Sequence, residues 1–94
     1  MTKVMRYRFR VTGTVQGVGF RYFTEKIGRD LGLTGWVENS QDGSVVGEVQ
    51  GEESRLAHFT RLLQDGPITA EVDAVVCTPC AARTNEESFQ IHTS

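Results

Sequence analysis

Hydrophobic and polar residues alternate near the start of the chain. Tyr7, Phe9 and Val11 occupy one side of this alternation, and Arg8, Arg10 and Thr12 occupy the other. A period of two is typical of a strand with one buried face. The pattern therefore predicts a first strand over residues 6–12, with the aromatic and valine side chains facing a core.

Two later segments carry apolar residues at three- and four-residue spacings, which is the period of an amphipathic helix. The first predicts a helix over residues 21–31, after which Gly32 can adopt the left-handed conformation that ends a helix. The second predicts a helix from residue 52 or 55 to residue 65, where Gly66 and Pro67 stop it. The apolar stripes are Phe20, Phe23, Ile27 and Leu31, then Leu56, Phe59, Leu62 and Leu63.

Four more predicted strands complete the order of elements. Segments 35–39 and 44–50 flank Asp42 and Gly43, a pair that favours a tight hairpin because its turn needs positive φ. The remaining strands include residues 72–77 and 88–92. In segment 44–50, Val45 and Val49 share one face, and Gly47 between them leaves room for a helix or loop to approach.

Up to the fourth strand, the order strand, helix, strand, strand, helix, strand is that of the split βαβ, ferredoxin-like fold, and the fifth strand follows it. Two right-handed crossovers then place both helices on one face of an antiparallel sheet. We predict an α+β sandwich of this kind, with residues 1–94 forming one domain. Its first loop is expected beside the centre of the sheet, within reach of a side chain from the second strand.

That first loop, residues 13–21, is rich in glycine and ends in Arg21. The first amides of a helix have no partner within the helix and lie at the positive end of its dipole, so they suit phosphate or carboxylate. Arg21 adds a guanidinium that matches phosphate oxygens. The alternative is an ordinary glycine turn with a solvated arginine. No Lys-Ser/Thr pair follows, which argues against a nucleotide-binding loop, and without a cysteine in the loop we expect water to be the nucleophile.

Two segments resemble the signatures of the acylphosphatase family. The first is Gly13-x-Val15-Gln16-Gly17-Val18-x-Phe20-Arg21. The second is Gly35-Trp36-Val37-Glu38-Asn39-Ser40-Gln41-Asp42-Gly43-Ser44-Val45, with Gly51 beyond. They occur in the family's order and at its separation, and the resemblance extends over about residues 7–92.

The resemblance implies the ferredoxin-like fold and hydrolysis of the carboxyl–phosphate bond of acyl phosphates, without a metal ion or cofactor. The matching motif positions imply that Arg21 binds the phosphate and that Asn39 orients the attacking water. The motif also implies that backbone amides hold the phosphate oxygens, and these belong to Gln16, Gly17, Val18, Gly19 and Phe20.

One residue departs from the family pattern. Glu38 stands where the family usually has a basic, amide or small residue. A carboxylate beside Asn39 would weaken attraction for an anion. We expect a small effect if the side chain of Glu38 points to the opposite face of its strand.

Other functions compete with hydrolysis. A non-catalytic anion-binding module would need Arg21 and the loop, but it has no use for an amide that orients water. Asn39 is therefore the discriminating residue, although asparagine is also common in turns. A third possibility is a domain of a larger carbamoyl-phosphate-processing protein. The first methionine and the end just after the last strand favour a stand-alone protein.

Charge and hydropathy restrict the partners of the chain. Its net charge of −2 gives no electrostatic basis for binding nucleic acid. No apolar run approaches the ~20 residues that span a membrane, and the N-terminus lacks the apolar core of a signal peptide. We expect a cytoplasmic monomer whose partner is a small-molecule acyl phosphate, with no nucleic acid or membrane partner.

Because the net charge is negative, an anion site would depend on a local group of basic residues. Arg6, Arg8, Arg10 and Arg21 all fall in the N-terminal quarter of the chain. Arg8 and Arg10 can equally be the solvated face of the first strand. The sequence alone leaves both interpretations open.

The two cysteines form a Cys77-Thr78-Pro79-Cys80 motif, which is placed after the strand over residues 72–77. A zinc site needs a second pair of ligands, and a thioredoxin-type site needs a long helix after the motif. The sequence has neither. Two free thiols are the preferred interpretation, and a short-loop disulfide is the alternative.

Overall fold

The computed structural model describes residues 3–93, which form five strands and two helices. The elements are, in order, β1 (Val4–Thr14), α1 (Phe20–Asp30), β2 (Thr34–Asn39), β3 (Val45–Glu52), α2 (Glu53–Asp65), β4 (Glu71–Cys80) and β5 (Phe89–Ile91). Each predicted helix and strand is present. β1 and β4 extend beyond the apolar alternation that predicted them, because they pair with each other along most of their length.

The strands form one sheet in the order β4-β1-β3-β2-β5. The first four strands are antiparallel, as a ferredoxin-like sheet requires, but β5 runs parallel to β2. The prediction of a wholly antiparallel sheet was therefore wrong at this edge. The reason is geometric: β4 ends at the end of the sheet where β2 begins, so the chain enters β5 there and runs alongside β2.

Both helices pack on the same face of the sheet, which confirms the predicted ferredoxin-like α+β sandwich. The ring of Phe9 in β1 meets Phe59 of α2 edge to face at 5.6 Å, and Phe20 of α1 is 1% exposed. Burying one such aromatic side chain stabilises the fold by about 1.5–3 kcal/mol. The buried core consists of Phe9, Val11, Val15, Phe20, Leu33, Val37, Val45, Val49, Leu56, Phe59, Leu63 and Phe89. This core fixes the end of β1 relative to the start of α1, and so it positions the loop between them.

The buried face of α1 differs from the predicted apolar stripe. Its fully buried residues are Phe20, Thr24 and Gly28, whereas Phe23 and Ile27 are only partly buried. Gly28 is needed because the ring of Phe89 lies against it, and a Cβ there would come within 2.7 Å of that ring. The hydroxyl of Thr24 donates to the Phe20 carbonyl at 2.9 Å, so it is buried without loss of hydrogen bonding.

Gly47 does make room for a close neighbour, but the neighbour is not a helix or a loop. A Cβ at Gly47 would come within 2.1 Å of the Trp36 carbonyl oxygen and 2.6 Å of the ring of Phe9. The approaching groups therefore belong to the strands on either side. The helix or loop expected from the sequence was the wrong partner.

Both cysteines lie within β4, so the motif does not follow that strand as the sequence analysis placed it. Pro79 is tolerated because β4 is an edge strand, where a missing N–H breaks no ladder on the outer side. Cys77 pairs with Phe9 on the helix-covered face, whereas Cys80 pairs with Arg6 on the open face. The two thiols are free, as preferred from the sequence.

Arg6 does not supply charge to an anion site, contrary to one interpretation of the arginine cluster. It is 2% exposed, and its Nε donates to Glu48 at 2.7 Å while its terminal nitrogens donate to Glu86 at 2.8 and 3.2 Å. Burial lowers the pKa of Arg6, but the hydrogen bonds and charges of the two glutamates outweigh it and raise the pKa above its usual value. Arg6 thus ties β1 and β3 to the segment before β5.

Neither helix within residues 3–93 combines the length and the apolar character that a membrane span requires.

Candidate active site

The glycine-rich loop leaves β1 after Thr14 and enters α1 at Phe20. Gly17 and Gly19 have φ angles of +75° and +79°, in the left-handed region that favours glycine. Gly19 is the N-cap of α1, and no side chain caps that helix end. The local sequence therefore produces a tight turn whose amides remain available at the positive end of α1.

The amides of this turn have no competing acceptors. Among residues 3–93, no backbone N–H from 16 to 19 donates a well-formed hydrogen bond to another protein group. Unpaired amides in a row make a concave site for an anion. The arrangement is suited to an anion such as phosphate, and binding of phosphate by these amides stays a prediction.

Arg21 lies in the first turn of α1, two residues beyond Gly19, and it is partly buried. It lines a cavity of about 180 Å³ together with Val15, Gly17, Gly19, Phe20, Tyr22 and Asn39. No carboxylate within residues 3–93 forms an ion pair with Arg21, although seven ion pairs there do involve other arginines. Its positive charge is therefore available to a ligand in the cavity.

Asn39 is the last residue of β2 and reaches the same cavity from the other side. Its Oδ1 is buried and has no hydrogen-bond partner among residues 3–93. A buried amide oxygen without a partner costs about 1–3 kcal/mol. Its position therefore indicates a group that the protein alone does not supply, such as a water molecule or a ligand.

Gln16 contributes a contact that the motif did not indicate. The motif implied only its backbone amide, but its side-chain Nε2 donates to the carbonyls of Ser40 at 2.6 Å and Ser44 at 2.9 Å. These carbonyls belong to the turn that follows Asn39. One side chain therefore fixes the loop to the hairpin that carries the asparagine.

The hairpin itself is held by charged and hydroxyl groups. Arg10 donates to Asp42 and to the hydroxyl of Ser44 at 2.7 Å, and the Ser44 amide donates to Asp42 at 3.0 Å. Hydrogen bonds from the Ser44 hydroxyl and amide, with the charge of Arg10, hold the pKa of Asp42 well below its usual range. Gly43 has the positive φ of +93° that the predicted hairpin turn requires. Arg10 is therefore a structural residue of the hairpin.

Glu38 does not line this cavity, although it lines a neighbouring one together with Gln16 and Asn39. Successive side chains of a strand face opposite sides of the sheet, and Glu38 Oε1 lies 3.8 Å from His92 Nδ1 on the open face. The His92 ring in turn stacks on Trp36, with the ring centroids 5.1 Å apart. The condition set for a small effect of Glu38 on anion attraction is therefore met.

Tyr22 is a cavity-lining residue that sequence reasoning missed. It follows Arg21 on α1, lines the same cavity and is 70% exposed. The only available signal was its place beside Arg21, because it falls outside the apolar stripe of the helix.

No group of three or more His, Cys, Asp or Glu side chains within the described residues is arranged to hold a metal ion.

Comparisons with known proteins agree with the two motifs. Residues 7–91 match the family model described as Acylphosphatase. An acylphosphatase of Geobacillus kaustophilus is 44% identical over 81 residues, which is 86% of this chain and 86% of that protein. The crystal structure of acylphosphatase from Bacillus subtilis matches with a TM-score of 0.89 and 33% identity, covering 96% of this chain and 99% of that one.

A longer protein also contains a similar stretch. A carbamoyltransferase of Cupriavidus necator is 42% identical over 90 residues, which is 95% of this chain and 11% of that protein. The family model and the shorter relatives together cover the loop, the helix after it and the hairpin with Asn39. This chain belongs to the acylphosphatase family.

Proposed function

We propose that this chain hydrolyses acyl phosphates by direct attack of water on phosphorus, without a metal ion. Acyl phosphate hydrolysis follows from the family and its acylphosphatase relatives. One observation supports the residue roles: Arg21 and the unpartnered Asn39 Oδ1 line a single cavity with the glycines of the loop. The competing anion-binding module has no use for an amide oxygen held there.

In this proposal the loop and Arg21 bind the phosphoryl group. The backbone amides of residues 16–20 and the guanidinium of Arg21 donate hydrogen bonds to its oxygens. Hydrogen bonds that involve charged groups are roughly twice as strong as neutral ones, and a guanidinium can hold two phosphate oxygens at once. These donors are fixed before the reaction, so they stabilise developing charge without a reorganisation cost.

Asn39 has the role of orienting the attacking water. Its Oδ1 accepts a hydrogen bond from the water, which leaves a lone pair of the water oxygen directed at phosphorus. The new P–O bond forms as the bond from phosphorus to the carboxyl oxygen breaks, and the carboxylate leaves with the bonding electrons. The amide cannot accept the water proton, which passes to a phosphate oxygen or to solvent.

Metal independence follows from the chemistry of the substrate. A carboxylate is a good leaving group, so neither a strong base nor a Lewis acid is required to expel it. Phosphoryl transfer depends mainly on positioning and on stabilisation of charge. The loop amides and Arg21 provide both functions in this proposal.

Four further assignments remain predictions. They are a single domain over residues 1–94, a monomer, a cytoplasmic location and the absence of a nucleic acid partner. Size-exclusion chromatography with light scattering tests the monomer directly.

The experiment that tests the proposal compares the native chain with Asn39→Ala in hydrolysis of benzoyl phosphate with EDTA present. We expect turnover by the native chain, and a kcat lower by about 10²-fold or more in the variant with similar phosphate binding. Removal of one preorganised transition-state contact has an effect of this size. Gln41→Ala is the matched control, because Gln41 is exposed on the same hairpin, and its kcat should be unchanged.

Three outcomes contradict the proposal. If EDTA abolishes native turnover, the mechanism needs a metal ion. If Asn39→Ala retains native kcat, the water is oriented by another group. If the native chain binds phosphate but does not turn over, the binding module replaces the enzyme.

A further inference from the structure

The connection between α2 and β4 touches the phosphate-binding loop at one polar contact. The hydroxyl of Thr69 donates to the carbonyl oxygen of Val18 at 2.7 Å, across 51 positions of sequence. Neither signature block contains Thr69. Within residues 3–93, no other protein group donates to the Val18 carbonyl.

Side-chain packing holds the loop tip only at Val18, which packs against the core, and not at the two glycines beside it. A Cβ built at Gly17 or Gly19 would have nothing within 4 Å. Glycine also has the widest choice of backbone conformations, so two glycines around Val18 leave its flanking peptides free to rotate. The directions of these peptides therefore depend on hydrogen bonds, through Gln16 where the loop begins and Thr69 where it ends.

The position of this contact matters because the peptide bond is planar. The carbonyl of Val18 and the N–H of Gly19 belong to one rigid unit and point in opposite directions. A group that fixes the carbonyl therefore fixes the direction of the N–H. Gly19 lines the cavity that contains Arg21 and Asn39.

Thr69 is itself held in place on the protein. Its turn is closed by a hydrogen bond from the Ala70 amide to the Pro67 carbonyl at 3.0 Å. Gly66 at the start of the turn lies so near Phe20 that an added Cβ would be 3.4 Å from the ring. The donor hydroxyl is therefore anchored next to the first residue of α1.

We infer that Thr69 is a positioning residue, which holds the Val18–Gly19 peptide so that the Gly19 amide donates to the phosphoryl group. The inference rests on the proposed function, because it assigns the ligand of that amide. Thr69 is exposed, so water can replace its hydrogen bond in the folded state at little cost to stability. Its loss should consequently affect the reaction more than the fold.

The test compares Thr69→Val, which keeps the shape and removes the hydroxyl, with Thr69→Ser, which keeps the hydroxyl. Thr84→Val is the matched control, because Thr84 is also exposed in a loop and makes no side-chain hydrogen bond within residues 3–93. The measurements are kcat and KM with benzoyl phosphate, the midpoint of urea unfolding, and the NMR shift of the Gly19 amide on addition of inorganic phosphate.

We expect Thr69→Val to lower kcat about 10-fold, which is less than the ~10²-fold cost of removing a donor outright. The phosphate-induced shift of the Gly19 amide should shrink in Thr69→Val and be restored in Thr69→Ser. The urea midpoint should match that of Thr84→Val. A merely structural role would change the midpoint and leave the response of the Gly19 amide unaltered.

The inference is overturned if Thr69→Val keeps both native kcat and the native Gly19 shift, or if Thr69→Ser fails to restore them. A native chain without turnover contradicts the proposed function, but the phosphate titration of Gly19 still decides the role of Thr69. If phosphate does not shift the Gly19 amide of the native chain, that amide does not bind phosphate and the inference is wrong.

Discussion

Arg6 and Arg21 lie near opposite ends of β1, and they differ in whether a carboxylate pairs with the guanidinium. Arg6 sits near the start of the strand, 2% exposed, with hydrogen bonds to Glu48, Gln50 and Glu86. Arg21 lies just beyond the other end, partly buried, and has no carboxylate partner among residues 3–93. The chain therefore places one fully paired arginine and one unpaired arginine on neighbouring elements.

The difference follows from the cost of removing charge from water. A buried charge is tolerated only when it is paired and hydrogen-bonded, so Arg6 requires its glutamates. A partly exposed guanidinium keeps some of its hydration, so Arg21 can remain without a partner until an anion arrives. Arg8 and Arg10 also have carboxylate neighbours, Glu48 and Asp42. Pairing thus distinguishes the three arginines of β1 from Arg21.

If this distinction holds, Arg21→Ala should abolish activity and leave the fold intact. We expect kcat/KM for benzoyl phosphate to fall by at least about 10³-fold, because an arginine that stabilises phosphoryl transfer contributes about 10³- to 10⁵-fold. The free energy of unfolding should change by less than about 0.5 kcal/mol, since the Arg21 side chain makes no hydrogen bond or ion pair within residues 3–93. Steady-state kinetics and urea unfolding measure the two quantities.

Arg61→Ala is the matched control for that variant. Arg61 is exposed on α2 and has no carboxylate partner among residues 3–93, but it lines a different cavity. Its activity should equal that of the native chain. If Arg61→Ala loses as much activity as Arg21→Ala, unpaired charge in general is responsible, and the specific place of Arg21 in the cavity is not.

Arg6→Met should show the reverse pattern, with lower stability and normal turnover per folded molecule. Removal of Arg6 takes away the shortest ion pair of Glu48, whose side chain is only 8% exposed, and leaves it only the longer contacts with Arg8 at 3.5 Å and Arg83 at 3.8 Å. A loss of about 3 to 5 kcal/mol is expected when a buried pair is broken in this way. Urea unfolding at neutral pH measures the loss, and kinetics below the transition measure turnover.

Arg8→Met is the control on the same strand and the same face. The Arg8 side chain is 70% exposed and lies 3.5 Å from Glu48, so its removal should cost no more than about 1 kcal/mol. Equal losses for the two variants would mean that burial of Arg6 contributes nothing beyond a surface ion pair. The contrast between the two arginines would then be wrong.

The sequence could predict the parts of the site that lie in contiguous segments. The glycines and Arg21 sit in one run of residues, and the period of two before them placed the loop after a strand. The turn after Asn39 was indicated by Asp42 and Gly43, whereas Asn39 itself was indicated by the resemblance to the second signature of the family. Their meeting in one cavity then followed from the order of the strands.

Contacts between distant segments could not be predicted in this way. The glutamate that accepts from Arg6 through two nitrogens lies 80 residues away, in a segment without a periodic pattern. The buried face of α1 depends on Phe89, which belongs to a strand of only three residues. Thr69 likewise contacts Val18 through a loop, where sequence has no period to read. In each case the missing information is which distant segment contacts which surface.

The free energy that the ion pairs of Arg6 contribute to folding should depend on pH. Burial raises the pKa of Glu86, but hydrogen bonds from Arg6 and Thr34, with the charges of Arg6 and Arg83, lower it below the usual 4.5. Burial also raises the pKa of Glu48, but the hydrogen bond and the charge of Arg6 outweigh burial, so the pKa of Glu48 is lowered as well. A carboxyl group with a lowered pKa stabilises the fold above its unfolded pKa, and that contribution is lost as the pH falls through the folded value.

Glu86→Gln isolates this contribution, because glutamine cannot titrate. Its deficit in unfolding free energy relative to the native chain should be largest at neutral pH. The deficit should shrink as the pH falls below about 4.5, where Glu86 of the unfolded chain takes up its proton, and should be lost once the pH has passed the lower pKa of Glu86 in the folded chain. Urea midpoints at pH 7, 4 and 3 measure the trend, and Glu87→Gln, at an exposed neighbour without an ion pair among residues 3–93, should show none. A deficit that stays constant with pH would mean that the charge of Glu86 does not stabilise buried Arg6, and shape or hydrogen bonding alone would then account for the contact.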